Sequence, residues 1–302
     1  MRILLIDPPF HRFTGFVNFY FPVGLALVAA ALRDAGHDVA IFDSDAVRKG
    51  ENLAGYEYQR LERYRKGLNH PSHPAWQELV EVTRRFQPDL VGITAITTKM
   101  GSVLKTAAIL KEHFPHLPIA AGGPHPTLLP EQIMQCREID IAVVGEGERT
   151  MVSVAHALET LGSLHSVQGI LFREGETVLR NPPREFIADL DEIPFPARER
   201  LMDPGGYTSA DMGAINTTRG CPFRCSYCCH LWTRKVRVRS IDHVMAEIKE
   251  VMAVYGTKQF DFKDDTFTLD RKRTIRLCNR IISERLNISW SCSTRVNLLD
   301  EE

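Results

Sequence analysis

Five short apolar runs, each bounded by Gly, Pro or Asp, do most to limit what this chain can fold into. They are RILLID (2–7), DVAIFD (38–43), DLVGIT (89–94), PIAAGG (118–123) and DIAVVGEG (140–147). Runs of four to eight residues that are apolar nearly throughout, rather than alternating, suit strands buried on both faces. Helical patterns lie between them. VGLALVAAALRDAG (23–36) closes on a glycine C-cap, SVLKTAAILKEHF (102–114) is expected to open on Ser102 as its N-cap, and a further helix is expected after Pro130. Strand alternating with helix gives an α/β fold with a doubly wound parallel sheet, Rossmann-like in architecture. The charged and aromatic segment 56–86 has helical character and decorates the second crossover.

After this alternation, VQGILFREGETVLRN (167–181) reads as a hairpin turning at Glu174-Gly175-Glu176. The Pro- and Asp-rich stretch 181–207 reads as an interdomain linker, with Phe186, Leu190 and Ile193 pinning it to a surface. A second alternation follows: strand into loop at 212–220, an amphipathic helix at 241–256, a strand at 258–265, a helix at 272–286 and a strand at 288–295. The expected division is therefore a Rossmann-like domain over 1–165, a hairpin and linker over 166–207, and the first part of a (β/α) barrel over 208–302. A closed eight-fold barrel takes about 250 residues, far more than the 91 from Met212 to Glu302. The chain is thus expected to stop inside its second domain.

Charge narrows the partners. Among 302 residues, 37 are Lys or Arg and 38 are Asp or Glu, a formal charge of -1, which argues against a general nucleic-acid-binding surface and favours a small-molecule substrate. The local run RKVRVR (234–239) reads as a partly solvated strand edge. The longest apolar stretch, 22–32, is well short of the ~18–20 residues a membrane span needs, and the opening MRILLIDPP reads as a strand rather than a leader. A cytoplasmic location is expected.

Of seven cysteines, four fall within nine residues: Cys221, Cys225, Cys228 and Cys229. A tight cluster in a reducing compartment points to a metal or catalytic site rather than a disulfide framework. The first three have C-x3-C-x2-C spacing on the loop after the first strand of the second domain. Three thiolates there can converge on one face of an iron–sulfur cube and leave its fourth iron without a protein ligand. A structural zinc site from Cys225, Cys228, Cys229 and His230, or from Cys221 with them, is the alternative. Zinc sites usually bring two ligand pairs from separate positions, and no second pair is visible. Cys136, Cys278 and Cys292 read as structural thiols.

The loop RGCPFRCSYCCH (219–230) resembles that of the radical S-adenosylmethionine (SAM) superfamily, with Tyr227 the aromatic residue directly before the third cysteine. The resemblance implies a 4Fe-4S cluster on Cys221, Cys225 and Cys228, with SAM chelating the open iron. It implies one-electron cleavage to a 5′-deoxyadenosyl radical, driven by a reductant such as flavodoxin or ferredoxin. Asp264 and Asp265 end the second strand where that superfamily grips the SAM amino group; the usual Gly-Gly-Glu is absent, and a helix N-cap is the competing reading. Arg295, after the third strand, would pair with the SAM carboxylate or else be solvated.

In the first domain the strands end in DPPF, TAITTKM, GGPHPT and GEGE, loops small enough for backbone to approach a bulky ligand. No G-x-G-x-x-G follows the first strand, so a dinucleotide site has little support. Together with the linker motif LDEIPFPAR, these loops resemble the cobalamin-binding class of radical SAM proteins. That resemblance places Thr94, Thr97, Thr98, Gly122, Gly123, His125, Gly145 and Glu146 around the corrinoid and its nucleotide tail. The Asp-x-His-x-x-Gly signature is absent, which implies cobalamin without a protein lower ligand, or a lost cofactor. His125 either shapes the tail pocket or caps its own loop. The activity implied is methyl transfer to, or oxidative cyclisation or rearrangement of, a small molecule. A radical SAM enzyme without cobalamin and a non-catalytic iron–sulfur or corrinoid carrier remain the alternatives. Methylthiolation is disfavoured because Cys136 is the single cysteine before the linker.

Overall fold

The computed structural model describes residues 1–14, 21–46, 60–229, 231 and 234–299. His230 and the start of the 56–86 segment lie outside them. Contacts divide the chain into two units, one comprising Met1–Asn18, Gly24–Phe186 and Pro196–Gly206, the other Phe19–Val23, Ile187–Phe195 and Tyr207–Glu302.

In the first unit the five apolar runs become β1 (Arg2–Asp7), β2 (Asp38–Asp43), β3 (Leu90–Thr94), β4 (Ile119–Gly122) and β5 (Ile141–Val143). They pair in parallel in the order β2-β1-β3-β4-β5. Ile3, Leu4, Leu5 and Ile6 are at most 1% exposed, as a central strand covered on both faces demands. The covering helices are α1 (His11–Thr14), α2 (Val23–Asp34), α3 (Arg60–Asn69), α4 (Pro74–Phe86), α5 (Met100–His113), α6 (Pro124–Leu128), α7 (Pro130–Ile133) and α8 (Gly147–Glu159). This strand order puts the topological switch between β1 and β3, and open α/β sheets bind ligands at the carboxyl ends of strands beside such a switch.

Two expected helix starts differ. Ser102 does not cap α5, because a 3-10 turn at Thr97–Lys99 winds the chain earlier. Its hydroxyl instead donates to the Pro9 carbonyl, and its N–H donates to the Tyr64 hydroxyl at 2.9 Å. The helix expected after Pro130 is only the four-residue α7, separated at Leu129 from α6. Pro130 lacks the N–H needed to continue α6.

The hairpin forms as β6 (Ile170–Glu174) and β7 (Thr177–Arg180), turning through Gly175 at φ 58°. β6 pairs antiparallel with β5, so the hairpin completes a seven-stranded sheet. The linker is pinned. Ala197 N–H donates to Ala26 O and Met202 N–H to Ile41 O in the first unit, while Ile187, Leu190 and Ile193 are buried in the second.

The second unit carries β8 (Ala214–Ile215), β9 (Thr218–Arg219), β10 (Arg237–Val238), α9 (Ile241–Tyr255), β11 (Gln259–Phe262), α10 (Arg271–Ser283) and β12 (Ser289–Cys292). β8, β11 and β12 form a parallel sheet in the order β12-β11-β8, and β9 pairs antiparallel with β10. α9 buries Val244, Met245, Ile248 and Val251, opens on Ser240, whose side chain accepts the His243 N–H, and ends on Gly256 at φ 67°. Among the described residues no helix is long and apolar enough to cross a membrane.

Candidate cofactor sites

The cysteine loop begins where β9 ends. Gly220, at φ 107°, turns the chain into Cys221, and a turn closed by Cys228 N–H to Cys225 O at 3.1 Å brings the second and third cysteines onto one side. All three are free thiols, Cys221 and Cys225 half-buried and Cys228 exposed. Desolvation, and after it the charges of Cys225, Asp265, Cys221 and Cys229, pushes the Cys228 thiol above its ordinary pKa. Thiolates crowded in this way repel one another until a cation is placed among them. Among the described residues, no three His, Cys, Asp or Glu side chains converge closely enough to hold one metal ion.

Beneath the loop lies a buried clamp. Asp264, 2% exposed, accepts the Thr217 and Thr218 N–H groups at 2.6 and 2.9 Å and the Thr217 hydroxyl. Burial raises its pKa, against the lowering by those hydrogen bonds. Arg273 completes the clamp, donating to Thr217 Oγ1, Thr217 O and Arg239 O at 3.0–3.2 Å. Asp264 thus holds the strand that leads into Cys221. Neither it nor Asp265 caps a helix, since Asp270 accepts the Arg273 N–H at the start of α10. Asp265 is exposed at the end of the same strand segment, and Cys221 Sγ lies 3.6 Å from the Thr266 hydroxyl.

Arg295 is not simply solvated. Its Nη1 lies 3.3 Å from Cys225 Sγ and its guanidinium stacks 4.0 Å over the Phe223 ring, so it reaches the cysteine loop from the strand side. Tyr227 is 89% exposed beside it. Cys229 is exposed, and its carbonyl is the acceptor 3.6 Å from Cys228 Sγ. The remaining cysteines are of another kind: burial pushes Cys136 up to about 11 and raises Cys278 and Cys292, so all three stay protonated.

In the first unit the loops after β3, β4 and β5 are stitched into one edge. His125 N–H donates to Ala95 O at 2.9 Å, and its Nδ1 meets the Thr97 hydroxyl at 3.1 Å. Thr127 Oγ1 donates to Gly123 O at 2.8 Å and accepts the Gly145 N–H at 3.1 Å. Gly123 has φ 102°, and a Cβ there would stand 3.2 Å from both Ala95 O and Thr94 Oγ1. Gly145, at φ 85°, faces open space. Thr97 and Thr98 are exposed, Thr94 and Gly122 half-buried, and Glu146 buried ahead of α8. His125 is 2% exposed, its Nε2 has no hydrogen-bond partner, and burial lowers its pKa, keeping the ring neutral. It borders a cavity of about 500 Å³ with Met100, Leu104, Ala108, Gln132 and Gln135.

Sequence reasoning missed an ionic knot at this edge. Lys99, 5% exposed, donates to Asp7 at 2.8 Å and Asp45 at 3.2 Å. Against desolvation, which lowers it, those carboxylates raise the Lys99 pKa above its ordinary value. Asp45 also accepts the Phe10 and Arg12 N–H groups, so the knot ties the loops after β1, β2 and β3 together. The available signal was two strands ending in Asp, LLID and IFDSD, with one Lys in the loop after the third.

Residues 15–155 match the B12-binding domain family. An uncharacterized methyltransferase of Pyrococcus horikoshii is 35% identical over all of this chain and 61% of its own length. Residues 15–155 are thus similar to a cobalamin-binding domain, and the whole chain is similar to a protein named as a methyltransferase. The anaerobic magnesium-protoporphyrin IX monomethyl ester cyclase of Cereibacter sphaeroides is 27% identical over 98% of the chain and 46% of its own length. The chain thus spans about half to three-fifths of these curated relatives. In fold it is similar to the radical S-adenosylmethionine methyltransferase TsrM of Kitasatospora setae, with TM-score 0.70 and 20% identity over 94% of this chain and 51% of that one.

Proposed function

We propose that this chain carries the cofactor-binding regions of a radical SAM enzyme, with a corrinoid domain at 1–165, a connecting stretch at 166–207 and strands of a partial (β/α) barrel at 208–302. Cys221, Cys225 and Cys228 would hold the 4Fe-4S cluster. The observation carrying this reading is three free thiols at C-x3-C-x2-C spacing on one loop, with the strand that enters it clamped by Asp264, and with Arg295 reaching Cys225 Sγ at 3.3 Å. The first unit fits a corrinoid on its own evidence: an open cradle at Gly145, close backbone approach at Gly123 and a buried, unpartnered His125 Nε2. Thr94, Thr97, Thr98, Gly122 and Glu146 complete that edge, and the cavity beside His125 takes the nucleotide tail.

Held by Cys221, Cys225 and Cys228, a cluster would supply the one-electron chemistry that cleaves SAM, and a corrinoid at the strand ends of the first unit would supply a methyl carrier. The chain's own residues orient the reactants. Asp265 accepts hydrogen bonds from the SAM amino group, Arg295 pairs with its carboxylate, and exposed Tyr227 covers its open side, while Asp264 fixes the loop from below. A small-molecule substrate is methylated, cyclised or rearranged, in the cytoplasm, with an external one-electron reductant.

Anaerobic incubation of the reconstituted protein with SAM and reductant tests the reading. Release of 5′-deoxyadenosine that requires Cys225 supports it. A chain that acquires no iron–sulfur absorbance contradicts it.

A further inference from the structure

The three cysteines assigned to the cluster differ in what their sulfurs meet. Cys221 Sγ lies 3.6 Å from the Thr266 hydroxyl, and Cys225 Sγ lies 3.3 Å from Arg295 Nη1. Cys228 Sγ meets the Cys229 carbonyl instead, at 3.6 Å, and a carbonyl has no proton to offer a thiolate. Both donors come from strand ends of the second unit. Thr266 follows β11 and Arg295 follows β12. These strands pair in parallel with Phe262 opposite Cys292, and the pairing continues beyond them, where Phe267 N–H donates to Ser293 O at 3.0 Å. Two neighbouring strand ends thus each set one hydrogen-bond donor against a different cysteine.

Neither donor has a stronger use within the fold. Thr266 is 4% exposed, and its one hydroxyl proton has two acceptors within reach, the Asp265 carbonyl at 2.7 Å and Cys221 Sγ. A deprotonated sulfur is the better of the two, because hydrogen bonds to ionised groups are about twice as strong as neutral ones. Arg295 is half-buried and, among the described residues, has no carboxylate partner. It is steadied by stacking over Phe223 and by Nε donating to Asn297 Oδ1 at 3.3 Å, with Nη1 left at the sulfur. A guanidinium carries several N–H donors in a fixed fork, so one arm can serve the sulfur and another the SAM carboxylate.

We propose that Thr266 and Arg295 are positioning residues for the cluster: hydrogen bonds from their side chains to the Cys221 and Cys225 thiolates hold those ligands and raise the potential at which the cluster accepts an electron. This rests on the cluster assignment above. Reduction adds one electron from the external reductant, and therefore one negative charge, with no bond made or broken. Donors aimed at the ligating sulfurs stabilise that charge. Arg295 contributes the larger share, since its charge is permanent.

The test is the midpoint potential of the anaerobically reconstituted chain, read by electron paramagnetic resonance during a titration with titanium(III) citrate. SAM is left out, so that pairing of Arg295 with the SAM carboxylate plays no part. Arg295→Gln should disfavour reduction by about tenfold, a fall of about 59 mV for one electron, and Thr266→Val by about threefold. Arg295→Lys and Thr266→Ser, which keep a donor, should stay closer to the parent than Gln and Val do. Loaded Gln and Val variants with the parent potential overturn the proposal. Should those two fail to take up iron, the conservative pair decides: iron retained by Lys and Ser supports positioning through the donated hydrogen bond, and iron lost from them as well shows that the side chains act by packing alone and overturns it. A parent that acquires no cluster shows instead that the cluster assignment has failed.

Discussion

The two candidate sites sit on loops at strand ends, yet they are held in opposite ways. In the first unit the loops after β1, β2 and β3 are tied by the Lys99 knot, and those after β3, β4 and β5 by His125 and Thr127, so the edge is finished before any ligand arrives. The second unit clamps the entrance to its loop, through Asp264 and Arg273; beyond Gly220 the loop is half-buried at Cys221 and Cys225 and exposed at Cys228 and Cys229. One site is preorganised. The other is completed by whatever its thiols bind, since metal binding and local folding are coupled when the ligands are deprotonated thiols.

The largest effect should come from breaking the preorganised edge. Lys99→Met leaves Asp7 and Asp45 buried without their cation, which costs about 3–5 kcal/mol. The denaturation midpoint of the first unit should fall accordingly, along with corrinoid retention, while iron loading of the second unit persists. Loss of both together would erase the contrast.

Asp264→Asn is the matching change in the second unit. An amide turned toward the Thr217 and Thr218 N–H groups forfeits a charge-assisted acceptor, at a cost of about 1.5–3 kcal/mol. Iron per chain after reconstitution should drop, because the strand entering Cys221 loses its clamp, with no change in corrinoid binding.

A smaller effect follows from pH. His125, and His37 likewise, are held by burial at a pKa below the unfolded value, so the unfolded chain takes up the proton first. Stability of the first unit is therefore complete above about pH 6.5 and declines as pH falls below it. His125→Gln should flatten part of that acid limb in a melting series from neutral pH downward. An acid limb unchanged by the substitution would show that His125 carries none of it.

What the sequence made legible follows the same contrast. Strands β1 to β5 were readable because burial on both faces leaves unbroken apolar runs, and the cysteine loop because its ligands are contiguous. The Lys99 knot was not, since its members are 92 and 54 residues apart and meet only once the sheet has formed. Ser102 looked like a cap because residue type cannot reveal that a 3-10 turn starts the helix earlier. For the adjacent Asp264 and Asp265, only burial separates the one that braces the loop from the one that faces outward.

The most direct test loads both sites in one experiment. The parent and Cys225→Ala are reconstituted anaerobically with iron, sulfide and hydroxocobalamin, then desalted and assayed for iron and cobalt. The account predicts about four iron atoms and one cobalt per parent chain, with the variant losing its iron and keeping its cobalt. Full iron on the variant, or no cobalt on either protein, would contradict it.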